Sequence, residues 1–204
     1  MGTTTMLDIL GSMIIGGLLL ITALQMNDTA TNNNFVTQED LTVQQNLTSL
    51  VENIEYDFRK IGYIKGGYPP PTDKCIIFGD SDSIAFLSDI DNDGELDTVI
   101  WYKENGPIAG CPNQNARMLV RETVTPEGVS VDSANLGVTE FSIRYYDAFG
   151  TQIWPEYKQG SPDPPNLMKL NLMVEPTSAY DTSYSTNFAF WTQTRLVSKN
   201  LTAR

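Results

Sequence analysis

The stretch Ile9–Met26 reads ILGSMIIGGLLLITALQM and carries no charged side chain. A run of about 18 or more apolar residues is long enough to cross the hydrocarbon layer of a membrane as a helix. The rest of the chain is polar and acidic, so this run must either lie in lipid or pack against copies of itself. Neither a basic segment before the run nor an A-x-A pattern near Met26 is present, which makes a cleaved secretory signal the less favoured alternative. The run therefore predicts a membrane-inserted helix.

Small residues interrupt this run at Gly11, Gly16 and Gly17. In lipid, small residues let two helix backbones approach each other closely. The same residues suit a helix that leaves the membrane and packs against its own copies. The alternative is that they are ordinary glycines of a membrane helix, where glycine is common. We take the three glycines as candidate assembly residues.

Composition excludes several classes of function. The 204 residues include 25 acids and 13 bases, which gives a net charge of −12. Binding to nucleic acid through its phosphates needs a basic surface, so we expect no nucleic-acid partner. The chain has no histidine, which removes the commonest general base and the usual transition-metal ligand. No pair of nucleophile and base stands out, and we expect the protein not to be an enzyme.

A second periodic segment follows the apolar run. Between Gln38 and Ile61, apolar residues recur at three- and four-residue spacing, at Leu47, Leu50, Val51, Ile54, Phe58 and Ile61. This spacing predicts an amphipathic helix with one apolar face. Gly62 and then Pro69–Pro71 end the helix. The polar residues Asn27–Asn34, which lie between the two segments, are either a hinge or part of a helix that has reached water.

After Pro71 the chain is rich in β-branched and aromatic residues separated by turn residues. Seven strands are predicted, at 75–78, 83–87, 98–102, 117–121, 138–146, 167–174 and 188–197. No long helical pattern lies between them, which favours an antiparallel meander. The apolar face of the helix and the sheet can each cover the other. The predicted fold class is α+β, with a hydrophobic helix and hinge at 1–34, an amphipathic helix at 35–66 and an antiparallel β domain at 67–204.

The segment Asp89–Asp97 (DIDNDGELD) is the clearest chemical signal in the sequence. Acids occupy its first, third, fifth and ninth positions, and glycine occupies its sixth. Calcium takes about six to eight oxygen ligands, and alternating acids with a glycine at the turn are typical of calcium loops. We therefore predict a Ca²⁺ site made by Asp89, Asp91, Asp93, Glu95 and Asp97, with Glu95 offering its carbonyl oxygen.

The loop is not a complete EF-hand, because Ile100 stands at the twelfth position, where a bidentate glutamate is required. The missing ligand can come from Asp80, from Asp82 or from water. The alternative is a plain hairpin turn, for which Asn92-Asp93-Gly94 is sufficient. Five acids within nine residues would repel one another without a cation, so we favour the calcium site.

Two cysteines, Cys75 and Cys111, lie in the polar part of the chain. An exported domain can oxidise a pair of thiols, and their spacing does not match a C-x-x-C redox or metal motif. We predict a structural disulfide between Cys75 and Cys111.

A long helix, apolar first and amphipathic afterwards, followed by antiparallel strands, resembles the layout of type IV pilin-like proteins. The segment Val51–Tyr63 (VENIEYDFRKIGY) is similar to the Arg-x-x-Gly-Tyr region that ends the helix in minor pilins and J-type pseudopilins. Leu119–Arg121 and Leu136–Asp147 (LGVTEFSIRYYD) are similar to the Leu-x-Arg and Gly-Val…Phe-x-x-x-Tyr strands of those proteins. The resemblance implies a helix that sits in the inner membrane before assembly and in a filament core afterwards.

Asp8 departs from the family pattern. The family has a basic leader that ends in glycine, and a glutamate at the fifth position of the mature chain. Here no basic residue precedes Gly2, and Asp8 is the sixth residue after it. The resemblance implies that Asp8 can pair with the N-terminal amine of a neighbouring subunit. The alternative is that Asp8 caps the membrane helix, because an acid suits a helix N-terminus.

These observations predict a structural subunit of an extracellular pilus-like filament or of a secretion pseudopilus. Its partners would be copies of itself or other pilin-like subunits, and a membrane-inserted precursor would become part of a cell-surface filament with a calcium-stabilised outer domain. The alternative is an exported domain with a single membrane anchor, which binds a ligand or a surface and does not polymerise.

Overall fold

The computed structural model describes residues 2–68, 70–147, 149–153, 157–159, 165–177 and 189–196, without the side chains of residues 2–4, 72, 73 and 189–196. The chain divides into two compact units, Met1–Leu41 and Thr42–Arg204. Helix α1, Gly2–Arg59, supplies the described part of the first unit and the first element of the second.

In the first unit, α1 exposes its apolar side chains. Between Met6 and Met26 the large apolar side chains are 51% to 75% exposed. The most apolar window of the helix has a mean hydropathy of 2.1, and none of it is buried. The predicted apolar N-terminal helix is confirmed, and it is long and apolar enough to cross a membrane.

The polar stretch 27–34 is helical and exposed. Thr29 donates its hydroxyl hydrogen to the carbonyl oxygen of Gln25 at 2.8 Å, and Thr37 does the same to Asn33 at 2.8 Å. Each hydroxyl bonds to the carbonyl oxygen four residues earlier in the same helix, which is a usual partner for threonine inside a helix. The sequence left open a hinge or a continued helix for this stretch, and the structure shows a continued helix.

The sheet belongs to the second unit. After the short helix α2, Thr72–Cys75, the strands are β1 (Ile76–Gly79), β2 (Ser83–Ser88), β3 (Asp97–Lys103), β4 (Arg117–Thr125), β5 (Gly128–Tyr146), β6 (Gln152–Ile153), β7 (Tyr157–Lys158), β8 (Leu167–Val174) and β9 (Ala189–Leu196). These nine strands of the described chain form one sheet in the order β7-β1-β2-β3-β4-β5-β8-β9, with β6 on β5.

Every described strand pair is antiparallel, and the α+β fold class and the meander are confirmed. All seven predicted strands are present, although residues 188 and 197 of the last one lie outside the described residues. The largest difference is in β5, which begins at Gly128, whereas the sequence predicted a start at Val138. The first half of β5 pairs with β4 and the second half pairs with β8.

The core of the second unit lies between α1 and the sheet. Ile54 and Phe58 of α1 are 0% exposed, as is Phe86 of β2, and the Phe58 and Phe86 rings meet edge to face at 5.7 Å between centroids. The helix residues of this core are Val43, Leu50, Ile54, Phe58 and Ile61, with Leu47 and Val51 partly buried against it. The predicted apolar face of the helix is therefore confirmed.

The disulfide prediction was wrong, because Cys75 and Cys111 are not linked to each other and both are buried. The Cys75 thiol points at the carbonyl oxygen of Pro71 at 3.5 Å. The Cys111 thiol points at the carbonyl oxygen of Thr177 at 3.7 Å. Each thiol points to a carbonyl oxygen in its own surroundings, and two cysteines form a disulfide only where the fold brings their sulfurs to bonding distance.

Candidate functional site

The acidic loop 89–97 connects β2 to β3, and its backbone turns sharply at two points. Asn92 has a φ of 65° and Gly94 a φ of 93°, both in the left-handed region that asparagine and glycine tolerate best. Asp91 accepts a hydrogen bond from the Asp93 N–H at 3.1 Å, and Asp93 accepts one from the Glu95 N–H at 2.7 Å. These turns fold the loop back on itself.

The folded loop brings three carboxylates together. Asp89, Asp91 and Asp97 each offer an oxygen that lies within 4.8 Å of the oxygens of the other two. Asp89 and Asp97 are buried, whereas Asp91 is exposed. A cluster with two inner acids and one outer acid can accept a cation that arrives from solvent.

The two inner carboxylates each leave one oxygen without a hydrogen-bond donor. Asp89 and Asp97 are 0% exposed, and their buried Oδ1 atoms have no hydrogen-bond partner among the described residues. Buried carboxylate oxygens in folded proteins are normally paired, because leaving them without a donor or a cation is costly. A metal ion bound at this cluster of three carboxylates would supply a partner for both oxygens.

The environment of Asp97 opposes its ionisation. Burial raises the pKa of this carboxyl group, and the Ile90 N–H, which donates to Oδ2 at 2.9 Å, lowers it only in part. The charges of Asp91, Asp93 and Asp89 raise the pKa further. A bound cation would supply the opposite charge that Asp97 lacks.

Asp89 differs from Asp97 in its backbone donors. Burial is the largest single influence and acts to raise the pKa of Asp89, but four N–H groups together outweigh it and lower the pKa. They belong to Lys65, Gly94, Asn92 and Asp93. Asp89 is therefore the carboxylate that the fold keeps ionised, as a metal ligand must be.

Asp89 also joins the loop to the segment that follows α1. Its N–H donates to the carbonyl oxygen of Tyr63 at 2.9 Å, and its Oδ2 accepts the Lys65 N–H at 2.9 Å. The Lys65 ammonium group donates to the carbonyl oxygen of Asn92 at 3.0 Å. Sequence reasoning missed Lys65, because no periodic pattern links a turn after a helix to a loop 24 residues later.

Of the five predicted metal ligands, Asp89, Asp91 and Asp97 come together as side chains. Asp93 and Glu95 are exposed and stand outside this group of three. The donor set consists of carboxylate oxygens without histidine or cysteine, which suits hard cations such as Ca²⁺ or Mg²⁺ better than transition metals. The residues present therefore fit a hard divalent cation.

A second feature lies between α1 and the first half of β5. A cavity of about 580 Å³ is lined there by Leu50, Asn53, Tyr56, Asp57, Trp101, Leu119, Arg121, Val131, Asp132, Ser133, Ala134 and Leu136. At its floor, Asp57 accepts hydrogen bonds from Arg121 Nε at 2.6 Å and from the Trp101 indole N–H at 2.9 Å. The volume lies within the range of small-ligand sites.

The candidate assembly residues all lie on α1. Asp8 is exposed, and no acid falls in the first turn of the helix. A methyl group added to Gly11, Gly16 or Gly17 would meet no atom within 4 Å. Nothing in the described part of the chain therefore requires glycine at these three positions.

Comparison with known proteins returned no match: no family model, no curated protein and no solved structure matches this chain.

Proposed function

We propose that this chain is a structural subunit of an extracellular pilus-like filament or of a secretion pseudopilus. Subunits would assemble through the apolar half of α1, and the α+β unit would lie on the outside. The partners are copies of the chain or other subunits of the same layout. Before assembly, the apolar helix would be held in the membrane.

The exposed apolar surface of α1 carries the proposal. An uncharged run from Ile9 to Met26 with its large apolar side chains at least 51% exposed is unstable in water unless lipid or protein covers it. The glycines support packing against other protein helices, because a Cβ at these positions would meet no atom of the described chain and small residues permit close helix packing.

We further propose that the loop 89–97 binds Ca²⁺. The support is the cluster of Asp89, Asp91 and Asp97 together with the two buried oxygens that have no donor. Outside a cell, where Ca²⁺ is abundant, even a site with modest affinity fills. Binding would hold the β2–β3 connection rigid, because a ligand that binds only the folded state stabilises it.

Electron microscopy of surface filaments tests the main proposal, combined with mass spectrometry of the protein that they contain. We expect filaments that contain this chain and are absent when its gene is deleted. Sequencing of the mature N-terminus in the same sample shows whether Asp8 lies close to a free amine. Cells that express the chain at the surface without any such filament would contradict the proposal.

The alternative is a membrane-anchored binding domain that does not polymerise, and the cavity of about 580 Å³ beside Asp57 and Arg121 favours it. Purification in detergent distinguishes the two functions. An anchored domain stays monomeric at all concentrations and is released from cells only by detergent. A filament subunit is released by mechanical shearing.

A further inference from the structure

The three carboxylates of the loop 89–97 leave a cation short of oxygen ligands. Oδ2 of Asp89 already accepts the N–H groups of Lys65 at 2.9 Å and Gly94 at 3.1 Å. Oδ2 of Asp97 accepts a backbone N–H as well, at 2.9 Å. Because a calcium ion takes about six to eight oxygens, further ligands must come from neutral oxygens of the protein or from water.

Ser88 lies beside these carboxylates in the sheet. It is the last residue of β2, and it pairs directly with Asp97, the first residue of β3. Two residues that face each other in an antiparallel pair project to the same face of the sheet, with their Cβ atoms about 4.5 to 5.5 Å apart. The Ser88 hydroxyl and the Asp97 carboxylate therefore stand side by side.

The Ser88 hydroxyl is buried and has no partner among the described residues. Ser88 is 0% exposed, as are Asp89 and Asp97. The described chain has five buried side-chain oxygens without a hydrogen-bond partner, and three of them are Ser88 Oγ, Asp89 Oδ1 and Asp97 Oδ1. Such oxygens are normally paired. A cation that lies among these three residues would give each oxygen a partner at once, since all three oxygens carry lone pairs.

We infer that Ser88 is a further ligand of this cation and binds it through Oγ. Ser88 lies on the buried side of the site, and the exposed Asp91 lies on the solvent side. The hydroxyl adds an oxygen ligand without adding negative charge to acids that already repel one another. This inference rests on the calcium proposal above, whereas the filament proposal can fail without affecting it.

Ser88→Ala tests the inference, with Ca²⁺ as the probe and the full chain in detergent micelles as the protein. Calorimetric titration should show an affinity about tenfold weaker than that of the parent, which corresponds to about 1.4 kcal/mol. Thr139→Val is the matched control. It removes another buried hydroxyl without a described partner, from β5, which β4 separates from β3, and it should leave the affinity unchanged.

Stability separates a ligand from a residue that only packs. In EDTA, Ser88→Ala removes a hydroxyl that has no partner, so the urea midpoint should stay the same or rise. In Ca²⁺ at concentrations near the Kd of the variant, the midpoint should fall below that of the parent, because weaker binding stabilises the folded state less. An equal shift in EDTA and in Ca²⁺ would overturn the inference.

Ser88→Cys tests direct contact with the ion. A thiolate is a soft ligand that favours Cd²⁺ over Ca²⁺. The ratio of Cd²⁺ affinity to Ca²⁺ affinity should rise at least about tenfold over that of the parent, with a thiolate-to-cadmium absorption band that the parent lacks. The parent contains the same Cys75 and Cys111 and therefore controls for them.

The parent protein distinguishes the two ways in which the inference can fail. A parent that binds no Ca²⁺ overturns the calcium proposal and the role of Ser88 together. A parent that binds Ca²⁺ no more tightly than Ser88→Ala does overturns the role of Ser88 alone. An unchanged ratio of Cd²⁺ to Ca²⁺ affinity in Ser88→Cys, without the absorption band, also overturns that role alone.

Discussion

Asp57 of α1 and Arg121 of β4 form a bidentate ion pair that lines the cavity between α1 and β5. Arg121 Nε lies 2.6 Å from Asp57 Oδ2, and Nη2 lies 3.1 Å from Oδ1. Asp57 is 2% exposed, and burial of such a group is tolerated only with full pairing. The pair raises the pKa of Arg121, chiefly through its hydrogen bond to Asp57. It ties the helix to the sheet at a polar point within an apolar core.

Asp57→Ala should therefore destabilise the second unit strongly. The change leaves the Arg121 charge and the Trp101 N–H without their acceptor, and breaking a buried pair in this way costs about 3 kcal/mol or more. Urea unfolding of the full chain in detergent, followed by tryptophan fluorescence, measures the loss. Glu55→Ala is the control, because its partner Arg59 is 69% exposed and a surface pair contributes less than about 1 kcal/mol. Equal losses in the two variants would contradict a special role for Asp57.

Calcium should raise the melting temperature of the protein, and EDTA should lower it. At a free Ca²⁺ concentration of about 100 times Kd, binding stabilises by about 2.7 kcal/mol, or about 5 to 10 °C for a chain of this size. Asp89→Asn should abolish the response, since it removes the charge of the ligand that joins the loop to Lys65. Glu127→Gln removes an equal charge elsewhere and should preserve the response. Identical melting curves with calcium and with EDTA would rule out the site.

Gly137→Ala should cost more stability than Gly150→Ala. Both glycines have similar positive φ values, 77° and 81°, where alanine is strained by about 1 to 2 kcal/mol. A methyl group on Gly150 meets no atom within 4 Å, whereas one on Gly137 would collide with the carbonyl oxygen of Glu175. We expect Gly137→Ala to lose about 1 to 3 kcal/mol beyond the strain common to both. Denaturation midpoints of the two variants make the comparison directly.

Tyr145 should give the protein a stability loss at alkaline pH. Burial raises the pKa of this tyrosine well above 10.0, and the charges of Asp80 and Asp82 add to the effect. Its hydroxyl lies 3.2 Å from the carbonyl oxygens of Asp80 and Ser83. In the unfolded chain Tyr145 ionises near pH 10, whereas in the native protein it stays neutral at that pH. Its contribution to stability is therefore complete below about pH 10 and is lost as the pH rises toward the native pKa.

Tyr145→Phe removes this ionisation. Below about pH 9 the variant should be less stable by about 1 kcal/mol, because it lacks a buried hydrogen bond. Between about pH 9 and about pH 11 its stability should fall less steeply than that of the parent protein. Urea midpoints of both proteins, measured across this pH range, test the role of Tyr145. Parallel curves for the two proteins would show that its ionisation does not cause the loss of stability.

In the proposed filament, Gly16→Leu should reduce the number of filaments on the surface without unfolding the single chain. A Cβ at this position meets no described atom within 4 Å, but a leucine side chain would keep neighbouring helices apart in a bundle. Filament counts by electron microscopy, normalised to the membrane-bound protein, measure the effect. Ala23→Leu adds similar bulk to the same helix outside the glycine positions, and a comparable loss in that variant would argue against a specific glycine contact.

The sequence predicted the elements whose burial is periodic. The spacing of Ile54 and Phe58 predicts the buried face of α1. Strand β8 was predicted with its observed bounds, because its buried and half-buried residues alternate regularly. The first half of β5 was missed because its residues are nearly all exposed and include polar and glycine positions that read as a loop. Backbone pairing with β4 makes it a strand, and composition gives no indication of that.

Long-range contacts were the least predictable part of the site. The acid spacing in 89–97 indicated a metal loop, and the structure brings three of its carboxylates together. Lys65 bonds to Asp89, and Asp57 pairs with Arg121, which lies 64 residues away in the chain. Both contacts depend on how α1 packs on the sheet. Local patterns in the sequence carry no information about such distances. The predicted disulfide between Cys75 and Cys111 was wrong for the same reason.

Strand β5 has a consequence for the order of folding. Among its described pairings, Val138 is the residue that meets both Arg117 of β4 and Val174 of β8. Strands β4 and β8 therefore occupy successive lengths of β5, with one residue in common. The β4–β5 hairpin is local and forms quickly, whereas β7, which follows β5 in the chain, pairs back with β1 and closes the sheet over a long sequence separation.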